Sequence, residues 1–327
     1  MLHTSGMYAL DTPINEEMYL DGLIMSVVFD ETTDNRNLPG CVLLYNKKAA
    51  SWKKARKKYK HWFSSSIHFP VQKVSEDWLK ARLPERLVVM GGDGTVHSVA
   101  NAILLGGMDI PVGVIPGGGG NDFFKRLIHQ GDPIGPHGFT DHAVLAVEYT
   151  DNATQRYAID FLEWGIGAMV AARRENGEGI FLNGMLKYFY LAIKSLFTFN
   201  SWKATIRLDG KDMEFDNLSS VVVGFGSSSL GGGHILFPDE CEGPNRNSPF
   251  VMIAEGFSRF KGLGLLFKII RKKQYTDPLV MYYPFRSLEL IPCSQESSML
   301  TIDGELYPAP PVKISLSDKK LKTFYAH

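Results

Sequence analysis

The sequence predicts two joined folds: an α/β domain built on a doubly wound parallel sheet, followed by an antiparallel β-sandwich. Two observations place the first. Leu87, Val88, Val89 and Met90 form an apolar run that ends in Gly91-Gly92-Asp93-Gly94-Thr95, after which Val96, Val99, Ala100, Ile103 and Leu104 recur at helical spacing. Residues 110–115 begin the same pattern again, a strand-like run that ends in Pro116-Gly117-Gly118-Gly119-Gly120-Asn121-Asp122 and continues as a helix from Phe123. Two strand–glycine–helix units about 25 residues apart fit adjacent parallel strands with both loops at one sheet edge. A third observation places the sandwich. Short strand-like runs follow at 143–149, 155–160, 204–208, 219–225, 250–254, 287–291, 298–302 and 312–316, with turn signals between them.

Taken in order, residues 1–39 are an N-terminal extension in which 23–29 reads as a strand. Residues 41–45 read as the first strand of the parallel sheet, and 52–63 as an amphipathic helix with a basic solvated face. A second strand is expected over 67–74, and Ser75 caps the helix that begins at Glu76. At the first glycine turn the backbone can approach a ligand closely. The N–H groups and positive dipole end of the following helix suit an anion such as a phosphate. Asp93 stands against that field. A carboxylate there is repulsive unless it holds a metal or takes a proton, so Asp93 reads as functional. His97 reads as a helix-surface residue, with a ligand role as the alternative.

The loop-rich stretch after Arg126, with Gly131, Pro133, Gly135, Pro136 and Gly138, marks a boundary. It divides the chain into the extension 1–39, an α/β domain 40–140 and a sandwich 141–327, with a return of the last residues to the first domain left open. Residues 181–197 form a hydrophobic, aromatic helix with Lys187 and Lys194 on one face. Packing on the sandwich is the commoner arrangement for such a helix, and lying on a membrane is the alternative. Residues 262–273 gather Lys268, Arg271, Lys272 and Lys273 at one end, which suits a membrane surface better, or a core helix with cations at its C-terminus.

A length of 327 residues favours two domains. Lys plus Arg number 35 and Asp plus Glu 35, a balance that argues against a general nucleic-acid binder. Cys41, Cys241 and Cys293 give neither a disulfide framework nor a zinc spacing, so a reducing, cytoplasmic compartment is expected. The N-terminus lacks a basic region followed by an apolar core, and the apolar stretch 180–199 is interrupted by Asn183, Lys187, Lys194 and Ser195. A soluble protein with peripheral membrane contact is the expectation.

The glycine turns also carry a family likeness. Gly91-Gly92-Asp93-Gly94-Thr95, then Pro116, Gly118, Asn121 and Asp122, then Asp303-Gly304-Glu305 near the C-terminus, resemble in order the three signatures of the diacylglycerol kinase catalytic domain superfamily. That superfamily includes bacterial lipid kinases, sphingosine kinases and ceramide kinases. Residues 161–167 and the Gly231-Gly232-Gly233 to Pro238 segment resemble its second domain. The resemblance implies an NAD kinase-like first domain and a nucleotide cleft between the domains, with ATP and Mg2+ as cofactors. It implies Glu305 as the base, with Asp93 and Asp303 as further catalytic carboxylates. Nucleotide-binding positions would be Asn46, Gly91, Gly92, Asp93, Gly94, Thr95, Gly118, Gly119, Asn121, Asp122 and Ser75, and metal-organising ones Asp93 and Asp122. It implies a lipid substrate at a membrane surface, and the charge balance speaks against a nucleic-acid partner. A homodimer stays open.

The chain departs from the pattern in three places. Asn46-Lys47-Lys48 stands where the family has Asn-Pro-x-Ser-Gly, Gly119 where it has Thr, and Asn247 where it has an Asp that helps build an accessory metal site, with Asp239, Glu240 and Glu242 nearby. The leading expectation is an ATP-dependent lipid kinase acting on the hydroxyl of a diacylglycerol, ceramide or sphingoid-type lipid. The alternatives are an NAD kinase-like enzyme, since those share Gly-Gly-Asp-Gly, and a weakly active or non-catalytic nucleotide- or lipid-binding relative.

Overall fold

The computed structural model describes residues 40–324, apart from 130–137, 153, 180, 183, 227, 231–233, 236, 238–246, 257, 271–276, 294–298 and 309–310. The expected strand at 23–29, the three glycines 231–233, the acids Asp239, Glu240 and Glu242, and the cations 271–273 lie outside the described residues.

The first half runs β1 (Cys41–Tyr45), α1 (Trp52–Lys58), α2 (Lys60–Ser65), β2 (Ile67–Pro70), α3 (Glu76–Arg82), β3 (Arg86–Gly91), α4 (Asp93–Leu105), β4 (Val112–Pro116) and α5 (Asp122–His129). The strands are parallel in the order β2-β1-β3-β4. Side chains alternate between the two faces of a strand, and here both faces are apolar. Val42, Leu44, Leu87 and Val89 pack with Leu79 of α3 and Val96, Val99 and Ile103 of α4. Leu43, Val88 and Met90 pack with Ala55 of α1 and Tyr59. Helices thus cover both faces, as a parallel sheet requires. The helix expected over 52–63 is interrupted at Tyr59, and the strand expected over 67–74 gives way after Pro70 to a short 3-10 turn, Val71–Lys73.

The second half runs β5 (Phe139–Tyr149), β6 (Gln155–Ala158), β7 (Phe161–Gly165), α6 (Ile166–Glu175), α7 (Gly184–Thr198), β8 (Trp202–Leu208), β9 (Lys211–Phe225), β10 (Ser229–Leu230), β11 (His234–Ile235), β12 (Pro249–Glu255), α8 (Arg259–Ile270), β13 (Val280–Pro284), β14 (Ser287–Pro292), β15 (Met299–Ile302), β16 (Glu305–Pro308) and β17 (Val312–Phe324). Its ladders are antiparallel and enclose a core that includes Trp164, Trp202, Phe215, Phe225, Leu288 and Leu300. Among the described residues no helix is long and apolar enough to cross a membrane.

The two halves are not separate bodies. Strand β17 pairs antiparallel with β14 and β5, and its end pairs parallel with β4 through Thr323 and Val112. One hydrogen-bonded sheet of 15 strands therefore runs through the molecule. Leu321 of β17 is buried among first-half residues such as Val112, and a Cβ on Gly113 of β4 would lie 2.8 Å from the Phe324 ring. Because β17 carries contacts of both halves, Leu321→Ala is expected to lower stability by about 2–5 kcal/mol and to leave a single unfolding transition. Urea denaturation followed by both fluorescence and circular dichroism checks this; two separated transitions would contradict it.

Candidate active site

The site is assembled at the C-terminal ends of β3 and β4. Gly92 and Gly118 bring the two glycine turns into backbone contact: a Cβ on Gly118 would lie 2.5 Å from the Gly92 Cα. Gly117 N–H donates to Gly91 carbonyl at 2.7 Å. Asn121, at φ +52°, clamps the second turn by accepting the Gly118 N–H at 2.8 Å and donating to the Gly118 carbonyl at 3.1 Å. Asn46 fixes the first turn by donating to the Thr95 hydroxyl at 2.9 Å. The starts of α4 and α5 are thereby held side by side, facing one opening.

The opposite wall comes from the sandwich. Glu305 opens β16 and its carboxylate lies against Gly94, where any Cβ would overlap it. A cleft of about 800 Å3 includes Asp93, Gly94, Gly119, Asp122, Glu163 and Glu305 in its lining. Asn46, Gly92, Thr95, Gly118 and Asp303 line the same cleft, while Gly91 and Asn121 support it from behind. Gly119 faces open space, with nothing within 4 Å of a Cβ built on it.

Hydrogen bonds place three further side chains. Ser75 is not part of the cleft; its hydroxyl accepts the Trp78 N–H at 3.1 Å and serves as the α3 cap. Asp303 borders the cleft, but its carboxylate is committed elsewhere. It accepts the N–H groups of Ile159, Asp160 and Phe161 at 2.9, 2.8 and 3.0 Å, and its Oδ2 lies 2.8 Å from His97 Nδ1. It is 3 % exposed. His97 is not a surface residue but is 1 % exposed. Its Nε2 lies 2.7 Å from the Tyr307 hydroxyl. Asn101, one turn along α4, accepts the Tyr157 N–H and donates to the Tyr157 carbonyl. Helix α4 is thus bonded to the β15–β16 hairpin through His97 and to β6 through Asn101.

Glu163 and Arg174 line the cleft without having been singled out from the sequence, and so does Lys187, read from the sequence only as a charge on its helix. Glu163 carried one signal: it interrupts the apolar run Phe161-Leu162-Glu163-Trp164. Arg174 donates to the Gly304 carbonyl at 2.9 Å and to the Tyr188 hydroxyl at 3.1 Å. Asn247 is an exposed turn residue away from the cleft lining.

The acids repel one another. Asp93 accepts the Phe123 N–H at 3.1 Å, yet burial and the neighbouring Asp122 charge, with a smaller contribution from Asp303, push its pKa up to about 6. Burial and Asp122 push Glu163 up to about 7. No cluster of three or more His, Cys, Asp or Glu side chains placed to hold a metal occurs among the described residues. A pair fits magnesium better, since that ion takes one or two carboxylates and fills its remaining positions with phosphate oxygens and water. Asp93 and Asp122 form such a pair: their outer oxygens lie 3.2 and 2.8 Å from the point where a Cβ on Gly120 would stand.

Both raised pKa values favour the protonated site, so this contribution to stability is present in acid and is lost as pH rises through about 6 and 7. Asp122→Asn is therefore expected to raise stability more at pH 8 than at pH 5, as read by urea midpoints at the two pH values. Equal gains would contradict the repulsion. His97→Ala leaves Asp303 and Tyr307 each short of a buried partner and is expected to cost about 1–3 kcal/mol, measured by the same unfolding.

Comparison with known proteins agrees with this geometry. Residues 41–148 match the diacylglycerol kinase catalytic domain, and residues 161–325 the YegS C-terminal NAD kinase beta sandwich-like domain. A provisionally named lipid kinase of Staphylococcus carnosus is 25% identical over 243 residues, covering 72% of this chain and 76% of its own length. One from Staphylococcus epidermidis is 26% identical over 249 residues, covering 73% and 76%. The fold is similar to that of a crystal structure provisionally called a diacylglycerol kinase from Bacillus anthracis, with a TM-score of 0.62 at 18% identity over 88% of this chain and 96% of that one. The chain belongs to the diacylglycerol kinase family and is a kinase, a phosphotransferase.

Proposed function

We propose that this member of the family is an ATP-dependent lipid kinase that phosphorylates the hydroxyl of a diacylglycerol, ceramide or sphingoid-type lipid. The observation that carries this reading is the seating of Glu305, from the second half, against the first turn of α4 in the same cleft as Asp93 and Asp122. Phosphoryl transfer needs positioning and charge neutralisation more than covalent chemistry from the protein. The N–H groups at the starts of α4 and α5 receive the phosphates of ATP, and Lys48, Arg174 and Lys187 add positive charge around the cleft. Asp93 and Asp122 would hold a magnesium ion, which would offset charge on the phosphate oxygens. Glu305 accepts the proton of the acceptor hydroxyl as the oxygen attacks phosphorus. Asp303 does not touch the reacting atoms in this scheme; it holds the turn that precedes the base.

Transfer from labelled ATP to a panel of diacylglycerol, ceramide and sphingosine, with NAD in parallel, tests the reading. Glu305→Gln and Asp93→Asn are expected to reduce lipid phosphorylation by about 10²–10⁴-fold while folding normally, since Asn at position 93 keeps an acceptor for the Phe123 N–H. Phosphorylation of NAD alone, or ATP binding with no turnover on any acceptor, would overturn it. The open space at Gly119 accommodates a side chain, so Gly119→Thr is expected to lower the KM for ATP about two- to ten-fold through one added hydrogen bond. An unchanged or higher KM would place the nucleotide elsewhere.

A further inference from the structure

Helix α5 buries an arginine. Phe123, Arg126 and Leu127 share one face at helical spacing, and all three are buried, Arg126 with 1 % exposure. A cation is tolerated out of water only where acceptors or a counter-charge replace its hydration. Arg126 finds them outside its own helix. Its guanidinium donates to the Ile159 carbonyl at 2.5 Å and stands 3.7 Å from the Asp160 carboxylate. It also lies over the Phe225 ring, 4.2 Å from the centroid. Asp160 is itself 2 % exposed; burial raises its pKa well above the usual carboxylate range, and Arg126 opposes that rise. The Ser228 hydroxyl donates to the Asp160 carbonyl at 2.7 Å and secures the segment from a further side.

We propose that Arg126 is a positioning residue: by tying α5 to residues 159–161 it holds Asp122 close enough to Asp93 for both carboxylates to reach one divalent cation. This rests on the reading of Asp93 and Asp122 as the metal pair, and not on the identity of the acceptor. Two observations carry it. The first is convergence. The N–H groups of Ile159, Asp160 and Phe161 hold the Asp303 carboxylate, while the Ile159 carbonyl and the Asp160 carboxylate hold Arg126. The hairpin that carries Glu305 and the helix that begins at Asp122 are thus fastened to the same three residues. The second is repulsion. Asp122 lies four residues before Arg126, on the same side of α5. Its charge adds to the burial that raises the pKa values of Asp93 and Glu163. That repulsion acts to drive the start of α5 away from the cleft, and the Arg126 contacts one turn deeper resist it. Arg126 is not among the residues that line the cleft, so it acts through α5. Buried ion pairs are often no more stabilising than apolar residues of the same volume, and their directional bonds can instead fix one arrangement.

Mn2+ takes the same oxygen ligands as Mg2+, and its binding to the full-length chain with ADP, followed by electron paramagnetic resonance, tests this without turnover. Arg126→Met combined with Asp160→Asn removes both charges, so that no unpaired ion stays in the core. Arg126→Lys keeps the charge but not the planar fork, and it serves where the double variant does not fold. Each is expected to weaken Mn2+ binding by about ten-fold, as loss of a residue supporting a metal ligand does. In turnover the Mg2+ concentration for half-maximal rate should rise by the same factor, with kcat at saturating Mg2+ changed much less. A lower urea midpoint with wild-type Mn2+ affinity in the folded variants would overturn the proposal and make the pair a feature of folding. Asp122→Asn separates the two readings. Wild-type Mn2+ affinity in that variant would overturn the metal pair and the proposal together. Weaker binding there, with none lost in the Arg126 variants, would overturn the proposal alone. Binding needs no acceptor, so the expected Mn2+ losses with no lipid phosphorylated would support the proposal and sink only the lipid-kinase reading.

Discussion

The buried carboxylate of Asp303 is the interaction on which the site depends. A charge taken out of water is tolerable only when donors surround it, and here three consecutive backbone N–H groups and the His97 ring do so. Asp303 and Gly304 have φ of +51° and +83°, the pattern of a tight two-residue hairpin turn. The turn fixes the register Ile302↔Glu305 between β15 and β16. The same residue therefore sets the hairpin's geometry and bonds it to α4, the helix whose first residue is Asp93. Glu305 is aimed at that first turn because its hairpin has no freedom to lean away. In the proposed scheme Glu305 is the general base, which needs hydrogen-bond reach before it needs a suitable pKa, and this fastening would supply the reach.

The rest of the cleft works against stability. Asp93, Asp122 and Glu163 crowd into a partly buried space, and the raised pKa values of Asp93 and Glu163 record the strain on their ionised forms. Lys48, Arg174 and Lys187 line the same cleft. Sites that must hold a metal and a polyanion together commonly carry such unrelieved charge. The continuous sheet offsets it: with β17 hydrogen-bonded to β4, β5 and β14, the repelling wall and the opposing wall cannot separate without breaking backbone ladders.

Much of this was legible in the sequence. The two glycine turns announced themselves because only glycine lets backbones approach as Gly92 and Gly118 do, and the apolar runs before them gave β3 and β4. The short strands of the second half were also readable, though β7, β10, β11, β13 and β16 were not singled out as strands. Asp303 was legible as a motif, and its function in holding the turn was not, because three of its donors belong to a segment more than 140 residues away in sequence. His97 misled for a related reason. Its helical position fits solvent or core equally well, and the strands that bury it come from the distant half. Ser75 shows the converse: a hydroxyl at a helix start is explained by the local cap alone.

The central claim is that His97 and Asp303 act on catalysis only by positioning Glu305, and a double-mutant cycle on kcat tests it most directly. In the wild-type background, His97→Ala should lower kcat by about ten-fold or more; in the Glu305→Gln background the same change should cost less than about two-fold, because there is no base left to position. Equal losses in both backgrounds would contradict the account and make the buried His97–Asp303 contact a feature of folding alone.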